Sequence, residues 1–346
     1  MKPTRLLILA GGRSEEHQVS IASARAVLEA TKTMVDIDSA VLVVARNGFW
    51  LTIEESRKAL DAGTQTAESG GGLPMLHAII AEMITDYDVV FPLMHGPFGE
   101  DGTVQGLLEL AGIPYIGCGV LASAVCMDKI MTKEVLRANH VPQVRFVATT
   151  RDEYAADPAR ILGEVKERLD APWFVKPANL GSSIGVSKAR DEAELELAIT
   201  KALSYGRRAL IEESVVHVRE LEVAVLGNAT PEASLVGEVV HSSDFYDNEA
   251  KYGVGCEVRI RIPAHVSAAV CDSIRELALR VYKILDCAGF ARVDFFYQER
   301  TGEIFLNEVN TIPGFRPTSM YPRLWEAGGV GYQYVIRQLV KLALER

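Results

Sequence analysis

The most informative spacing in this sequence of 346 residues joins two carboxylates, an arginine and an asparagine near the carboxyl end. The stretch "ARVDFFYQERTGEIFLNEVN" predicts two strands joined by a three-residue loop, residues 300–302, whose glycine adopts the left-handed conformation. This pairing places Asp294 opposite Glu308. It also places Arg292 opposite Asn310, so that all four side chains share one face of the hairpin.

These four polar residues suggest a metal site. Two carboxylates and an amide oxygen form the hard oxygen donor set that Mg²⁺ prefers, with positions left for phosphate oxygens. The spacing therefore predicts a magnesium site at Asp294, Glu308 and Asn310. The alternative is a solvated strand face on which Arg292 and Asp294 form a weak ion pair. The opposite face of the hairpin is apolar and suits the core, with Val293, Phe295, Phe305 and Val309.

A second chemical signal is "FVKPANLGSSIGVSK", residues 174–188, in which a lysine precedes a loop of glycine and serine. A Walker-type phosphate loop has the order G-x-x-x-x-G-K-[ST] between a strand and a helix. Here Lys176 precedes Gly181 and Gly185, and the following residues predict a second strand, so the Walker order is absent. Glycines still allow backbone N–H groups to approach phosphate, and a strand-mounted lysine supplies a fixed countercharge. The motif alone would also suit a surface hairpin.

The amino-terminal segment, residues 1–117, predicts a small open α/β sheet. Its buried strand "RLLILAGG" runs into glycines, and a helix follows that Ser14 caps and that carries Glu15 and Glu16 in its first turn. Ligands of such sheets bind in the loops at the carboxyl ends of the strands.

Two further segments follow. Residues 118–212 predict a smaller α+β unit built around the Lys176 hairpin. Residues 213–346 predict a long strand, a polar loop, a helix, the carboxylate hairpin and a final helix.

Composition limits the class of protein. A formal net charge of −10, without any basic cluster, disfavours nucleic acid as a partner. No apolar run is long enough to cross a membrane and no signal-peptide pattern is present, so a cytoplasmic protein is predicted. The five cysteines include no C-x-x-C pair, which favours buried small side chains over a disulfide framework or a zinc site.

Seven stretches of the chain resemble, in the same order, motifs of the ATP-grasp ligases and within them of the bacterial D-alanine:D-alanine ligases. They are "AGGRSEEHQVS", "PLMHGPFGEDGTVQG", "CMDK", "FVKPANLGSSIGVSK", "DFYDNEAKY", "ARVDFF" and "NEVNTIPGFRPTSMYP". The resemblance implies three domains, with ATP held between the second and third and the amino acids bound mainly by the first and third. It also implies that two D-alanines and ATP give D-alanyl-D-alanine, ADP and phosphate for peptidoglycan precursors, with two Mg²⁺ or Mn²⁺ ions.

For the nucleotide, the resemblance implies that Lys176 and the lysine of "CMDK" meet the phosphates while the "GSSIG" turn closes over them. Glu212 would lie toward adenine, with backbone groups of Glu213 and Val215 reading its edge. Glu220 would accept the ribose hydroxyls. The implied nucleotide-binding set is Lys129, Lys176, Gly181, Ser182, Ser183, Glu212, Glu213, Val215, Glu220, Lys251, Asn307 and Glu308.

For the amino acids, the resemblance implies that Glu16 binds the ammonium of the first D-alanine and that His95 lies near substrates and phosphates. The loop "HSSDFYDNEAKYGVG" is similar to a mobile lid, in which Lys251 approaches the γ-phosphate and Tyr252 closes on the site. In the family this tyrosine, Ser182 and Glu16 form a hydrogen-bonded triad that locks the closed state.

The implied reaction has two steps. The first carboxylate attacks the γ-phosphorus of ATP to give an acyl phosphate, and the amine of the second D-alanine then attacks its carbonyl. Arg292 and the N–H group of Gly314 would stabilise the oxyanion, and Ser319 would hold the second carboxylate. The implied catalytic residues are Glu16, Ser182, Tyr252, Arg292 and Gly314, and the substrate-binding residues are Glu16, His95, Arg292, Gly314 and Ser319.

Each of these residues also has an ordinary structural interpretation. Glu16 could complement a helix dipole, His95 could be a satisfied structural histidine, and the glutamates could be solvated strand charges. A D-alanine:D-lactate ligase, another ATP-grasp carboxylate-amine ligase and a catalytically silent ATP-binding regulatory module remain alternatives, although Tyr252 favours a dipeptide product. The expected partners are D-alanine, ATP and a second copy of the chain, with neither nucleic acid nor membrane.

Overall fold

A computed structural model describes residues 2–62, 80–81, 83, 85–241 and 258–346. The first of its sheets is parallel, with the order β2-β1-β3. Both faces of β1 are covered, which explains its nearly continuous apolar sequence. The strands are β1 (Thr4–Gly11), β2 (Ile37–Val44) and β3 (Val89–Pro92), and the accompanying helices are His17–Thr31, Ile53–Ala62 and Thr103–Leu110.

The second sheet is antiparallel, with the order β4-β7-β5-β6. An apolar cluster joins one of its faces to neighbouring helices. A smaller cluster of Ile130, Phe146, Ala178 and Leu210 joins the sheet to the helix Lys129–Ala138. The strands are β4 (Phe146–Thr150), β5 (Trp173–Pro177), β6 (Ser187–Ala189) and β7 (Arg208–Glu213), and the other helices of this region are Val120–Met127, Arg151–Ala156, Pro158–Arg168 and Glu192–Tyr205.

The third sheet is antiparallel, with the order β10-β9-β8-β11-β12. The predicted polar loop after β8 is therefore wrong in part, because its described residues include two strands that extend the sheet. The strands are β8 (Val218–Leu226), β9 (Glu232–His241), β10 (Val258–Arg261), β11 (Phe290–Gln298) and β12 (Glu303–Asn310), and the helices are Ala268–Ile284, Met320–Ala327 and Tyr332–Leu344. The predicted division of the chain after residues 117 and 212 stays a prediction.

The pairing predicted for the carboxylate hairpin is confirmed. Arg292 faces Asn310, and Asp294 faces Glu308. The loop glycine, Gly302, has a φ of +76°, the left-handed conformation that such a turn requires. One face of β11 and β12 therefore carries all four polar side chains.

The predicted three-residue loop of this hairpin is wrong by one residue. Gln298 faces Glu303, which leaves four residues in the loop. A β-bulge inserts one extra residue into β12 and returns the register to the predicted one at Glu308. The bulge also changes the core face, since Phe305 is only partly buried whereas Leu306 is 2% exposed. The assignment of Phe305 to the core was therefore wrong.

The start of the first helix also differs from the prediction. The helix begins at His17, and its N-cap is Glu16, whose side chain makes no capping hydrogen bond. The predicted cap, Ser14, instead donates from Oγ to the carbonyl of His95 at 2.6 Å, which joins the loops after β1 and β3. Glu15 and Glu16 consequently precede the first turn. This leaves Glu16 available to contact another part of the chain.

The four described cysteines are free thiols. Cys118 and Cys287 are buried, and Cys126 and Cys271 are partly buried, which agrees with their interpretation as small core side chains. Across the described ranges, no helix combines the length and the apolar character that a membrane crossing requires. The predicted lid residues Lys251 and Tyr252 lie outside the described residues.

Candidate active site

A cleft lies between the second and third sheets. Lys176 from β5 and Glu212 from β7 line one side, and Glu308 from β12 lines the other. Asn307, the extra residue of the β12 bulge, and Lys129, at the start of its helix, also line the cleft. The lysine that precedes the glycine loop and a carboxylate of the distant hairpin thus share one cavity.

Glu212 lies between two lysines in this cleft. Lys176 Nζ is 2.6 Å from Oε2 and Lys133 Nζ is 2.6 Å from Oε1. Burial by itself would raise the pKa of Glu212, but the two ammonium groups outweigh burial and lower that pKa to about 2. Lys133 also donates to the carbonyl of Val144 at 3.2 Å. Its place in the site was not predicted from the sequence. Its spacing of four from Lys129 on one helix was the available signal.

The base of the glycine loop is fastened to the start of the helix Lys129–Ala138. Lys129 Nζ donates to the carbonyl of Leu180 at 2.6 Å, and Asn179 Nδ2 donates to Asp128 Oδ2 at 2.9 Å. The other carboxylate oxygen of Asp128 caps the helix. Burial lowers the pKa of Lys129, and the nearby carboxylate of Glu308 opposes this shift. The loop and this ammonium group therefore have a fixed relative position.

The tip of the glycine loop reaches the amino-terminal sheet. Ser182 Oγ donates to Glu16 Oε1 at 2.5 Å. A Cβ atom on Gly181 would lie 3.3 Å from Glu16 Oε2, so glycine allows this close approach. Ser182 and Ser183 have φ values of 48° and 60°, a conformation that is costly for residues other than glycine. The contact thus joins two of the three members of the implied triad, and the third, Tyr252, lies outside the described residues.

His95 is buried in the loop after β3, with 4% of its surface exposed. Its Nδ1 lies 2.9 Å from the carbonyl of Ile312 and must donate to it. Burial lowers the pKa of His95, although the charge of Glu16 opposes the shift. The ring is therefore neutral near pH 7. Its Nε2 has no hydrogen-bond partner among the described residues, which leaves an acceptor lone pair for a ligand.

Glu100 is a partly buried carboxyl group of the same loop, and its position was not predicted from the sequence. Its Oε2 accepts from the N–H of Gly96 at 2.6 Å, and its Oε1 accepts from the N–H of Ile312 at 3.2 Å. Burial, together with smaller contributions from repulsion by Glu16 and Glu308, raises the pKa of Glu100 to about 8. The carboxyl group links the first and third sheets beside the cleft. An acidic residue within the glycine-rich run "HGPFGEDG" was the available signal.

On the carboxylate hairpin, Arg292 binds Asp294 through two hydrogen bonds. Nε donates to Oδ1 at 2.8 Å and Nη2 donates to Oδ2 at 2.7 Å. Asn310 Nδ2 donates to Asp294 Oδ2 at 2.9 Å. Glu222 on β8, also missed from the sequence, lies opposite Asp294, with its Oε2 2.9 Å from Arg292 Nε.

The face that carries this pair has more negative than positive charge. Burial raises the pKa of Asp294, and it raises the pKa of Glu222 to about 8. A divalent cation would reduce the repulsion between these acidic groups. The oxygen donors of this face therefore suit such an ion. Within the described ranges no three His, Cys, Asp or Glu side chains are arranged around one ion position. The carboxylates of this face come from Glu220, Glu222, Asp294 and Glu308.

The predicted residues for the second amino acid lie beyond β12. Ser319 is the N-cap of the helix Met320–Ala327, and its Oγ accepts from the N–H of Arg316 at 3.2 Å. A Cβ atom on Gly314 would lie 3.2 Å from Ser319 Oγ, so these two residues are neighbours. The structure thus brings together the N–H-bearing glycine and the serine that the sequence paired.

The residues implied for adenine and ribose follow β7 and lie in β8. The carboxylate of Glu213 binds Arg145, with Oε1 accepting from Nε at 3.0 Å, so a contact with adenine would use its backbone. Val215 follows β7 in the connection to β8. Glu220 faces Phe296 across β8 and β11.

The two antiparallel sheets, one with a lysine and a glycine loop and the other with opposed carboxylates, define an ATP-grasp fold. Two family models match most of the chain. The D-ala D-ala ligase N-terminus model matches residues 5–118, and the D-ala D-ala ligase C-terminus model matches residues 135–341. The chain belongs to the D-alanine–D-alanine ligase family.

Two curated relatives are similar over nearly their whole length. A D-alanine–D-alanine ligase of Deinococcus radiodurans is 51% identical over 342 residues, covering 99% of this chain and 98% of the relative. A D-alanine–D-alanine ligase of Ruminiclostridium cellulolyticum is 43% identical over 366 residues, covering 100% and 96%.

Solved structures give the same result for the fold. The VanG D-Ala:D-Ser ligase from Enterococcus faecalis superposes with a TM-score of 0.83 at 32% identity, covering 99% of both chains. The D-alanine-D-alanine ligase from Coxiella burnetii superposes with a TM-score of 0.81 at 32% identity, covering 100% of this chain and 95% of that one.

Proposed function

We propose that this chain joins two D-alanines into D-alanyl-D-alanine, with conversion of ATP to ADP and phosphate, for peptidoglycan precursors. The observation that carries the proposal is the shared cleft of Lys176 and Glu308, which offers a cation for phosphate and a carboxylate for a metal ion. Full-length similarity to relatives named D-alanine–D-alanine ligase supports the substrates.

The nucleotide would lie in the cleft with its phosphates toward the lysines. Lys176 and Lys129 would contact phosphate oxygens, and the glycine loop would cover them. Asp294, Glu308 and Asn310 are the residues that would hold divalent metal, which we propose to be two Mg²⁺ or Mn²⁺ ions. Bound metal would neutralise phosphate oxygens as the phosphoryl group transfers.

The first D-alanine would bind between the amino-terminal sheet and the cleft. Glu16 would accept its ammonium group, and its free carboxylate would attack the γ-phosphorus to form an acyl phosphate. Neutral His95 has an unpartnered Nε2 that can accept a hydrogen bond from a substrate group. The contact between Ser182 and Glu16 would keep water from the acyl phosphate.

The second D-alanine would bind beside the hairpin. Its amine would attack the acyl carbonyl, and phosphate would leave. Arg292 and the N–H of Gly314 would donate to the oxyanion, while Ser319 would hold the carboxylate. Lys251 and Tyr252, outside the described residues, would close over the reacting groups.

A single assay of the purified protein tests this function. ATP, Mg²⁺ and D-alanine are supplied, and released phosphate and the ligated product are both measured. D-serine, D-lactate and L-alanine are tested in parallel, because one structural neighbour is a D-Ala:D-Ser ligase. Phosphate release that requires D-alanine and matches dipeptide formation supports the proposal. A requirement for another acid would indicate another carboxylate-amine ligase, and ATP binding without release would indicate a regulatory module.

We also propose that the protein is a cytoplasmic homodimer with three domains, residues 1–117, 118–212 and 213–346. The proposed use of ATP supports a cytoplasmic location, and the family resemblance supports the dimer. Sedimentation equilibrium tests the dimer, since the mass of one chain is 37.8 kDa.

A further inference from the structure

The guanidinium group of Arg292 lies between carboxylates of two neighbouring strands. Asp294 accepts from Nε at 2.8 Å and from Nη2 at 2.7 Å. On β8, Glu222 Oε2 lies 2.9 Å from the same Nε atom. One arginine therefore has two carboxylate neighbours, of which only Asp294 forms its hydrogen bonds.

The close contact of Glu222 with Arg292 lacks a hydrogen bond. The Nε–H bond points to Asp294, and Glu222 Oε2 has no hydrogen-bond partner among the described residues. The side chain of Glu222 is only 13% exposed. A buried carboxylate oxygen without a partner is unfavourable, so its position beside the guanidinium requires an explanation.

Two roles proposed for the hairpin compete for the oxygens of Asp294. Asp294 would offer oxygens to a metal ion, whereas Arg292 must stay fixed to donate to the oxyanion. In the structure both oxygens of Asp294 are bonded to Arg292, and Asn310 also donates to one of them. When the oxygens of Asp294 bind a metal ion, another acceptor is needed to hold the guanidinium of Arg292.

We propose that Glu222 is this acceptor and acts as a positioning residue for Arg292, an inference that rests on the proposed function. It accepts the Nε–H hydrogen bond when the oxygens of Asp294 are engaged by metal, and it keeps the guanidinium where it can donate to the oxyanion. Only a small rotation of the guanidinium is required, because Oε2 already lies within hydrogen-bond distance of Nε.

Three variants separate this role from a merely structural one. Glu222→Leu removes the acceptor at similar volume, Glu222→Gln keeps an acceptor oxygen without charge, and Glu303→Leu is an exposed control on the same sheet. Glu222→Leu is expected to lower kcat at least tenfold, because Arg292 acts on the oxyanion, with the KM for ATP within twofold of the wild-type value. Glu222→Gln restores part of the loss, and Glu303→Leu matches the wild type.

A measurement that does not depend on turnover follows the Nε–H group itself. The protein is labelled with ¹⁵N-arginine, and Arg292→Lys identifies the signal. Without metal, Nε–H is protected from solvent exchange in the wild type and in Glu222→Leu, because Asp294 accepts it in both. With Mg²⁺ and ADP the wild type stays protected, whereas exchange in Glu222→Leu is at least tenfold faster.

Equal protection of the wild type and Glu222→Leu with Mg²⁺ and ADP would overturn the inference. If Glu222→Leu does not fold, Glu222→Ala takes its place in both experiments. Absence of ligase activity in the wild-type protein would refute the proposed function. A normal wild-type assay with an unaltered Glu222→Leu would refute only the role of Glu222.

Discussion

Ser182 Oγ donates to Glu16 Oε1 at 2.5 Å, so the glycine loop of the second sheet touches the loop after the first strand of the chain. Gly181 allows the approach, since a Cβ atom there would lie 3.3 Å from the other carboxylate oxygen. The two residues are far apart in sequence. Their contact ties the loop that follows Lys176 to the amino-terminal part of the chain.

Loss of this contact should impair closure while the fold survives. We expect Ser182→Ala to lower kcat/KM for D-alanine by about ten- to a hundredfold, because the loop then excludes water less well. Steady-state kinetics measures the change in kcat/KM, and circular dichroism checks that the fold is retained. Ser204→Ala, at an exposed helix position, is the matched control. Unchanged kcat/KM in Ser182→Ala would show that the contact is incidental.

Glu212 should contribute strongly to stability because both of its oxygens bind buried or partly buried ammonium groups. We expect Glu212→Gln to lower the free energy of unfolding by about 3–5 kcal/mol, since Lys133 would keep a buried charge without its partner. Urea titration measures this change. The adjacent Glu213→Gln is the control. It should lower the free energy of unfolding by only about 0–1 kcal/mol, because the partner of Glu213, Arg145, is 56% exposed. Similar losses in both variants would contradict this account.

The same carboxylate predicts a pH dependence of stability. The pKa of Glu212 is lowered from 4.5 to about 2, so its stabilisation is present above pH 4.5 and is lost as the pH falls toward 2. The difference in unfolding free energy between the wild type and Glu212→Gln should therefore shrink across that range and stay constant above pH 6. Urea titrations at several pH values measure it. A difference that grew at acid pH would mean that the pKa is raised.

Strand-level patterns predicted the hairpin at the site well. A residue spacing of two fixes which side chains share a face, and this placed Asp294 opposite Glu308. The loop length was wrong by one residue, yet the bulge in β12 compensated for it. A bulge depends on neighbouring strands as well as on its own residues, so Phe305 could not be separated from Leu306 by alternation alone.

Long-range partners were harder to predict than local elements. Ser14 has the sequence of a helix cap, but the carbonyl of His95 captures its hydroxyl across two loops. Lys133 and Glu222 look like ordinary charged residues in sequence. Their importance comes from burial beside Glu212 and Arg292, and burial of a charge is set by tertiary packing.

The two opposed walls of the cleft should both be needed for catalysis. We expect Lys176→Ala and Glu308→Ala each to lower kcat at least a hundredfold with the fold retained, because each removes a charge directed at the phosphates or the metal. Phosphate release and circular dichroism check this expectation. Lys201→Ala, on an exposed helix surface, is the control. Near-normal turnover in either cleft variant would refute its assignment.

The position of bound metal tests the central claim most directly. Crystals grown with ADP and Mn²⁺ would be measured for anomalous scattering from manganese. We predict a peak within about 2–2.5 Å of oxygens of Asp294 and Glu308, with ADP between β5 and β12. A manganese peak away from both carboxylates, or ADP bound outside this cleft, would contradict the account.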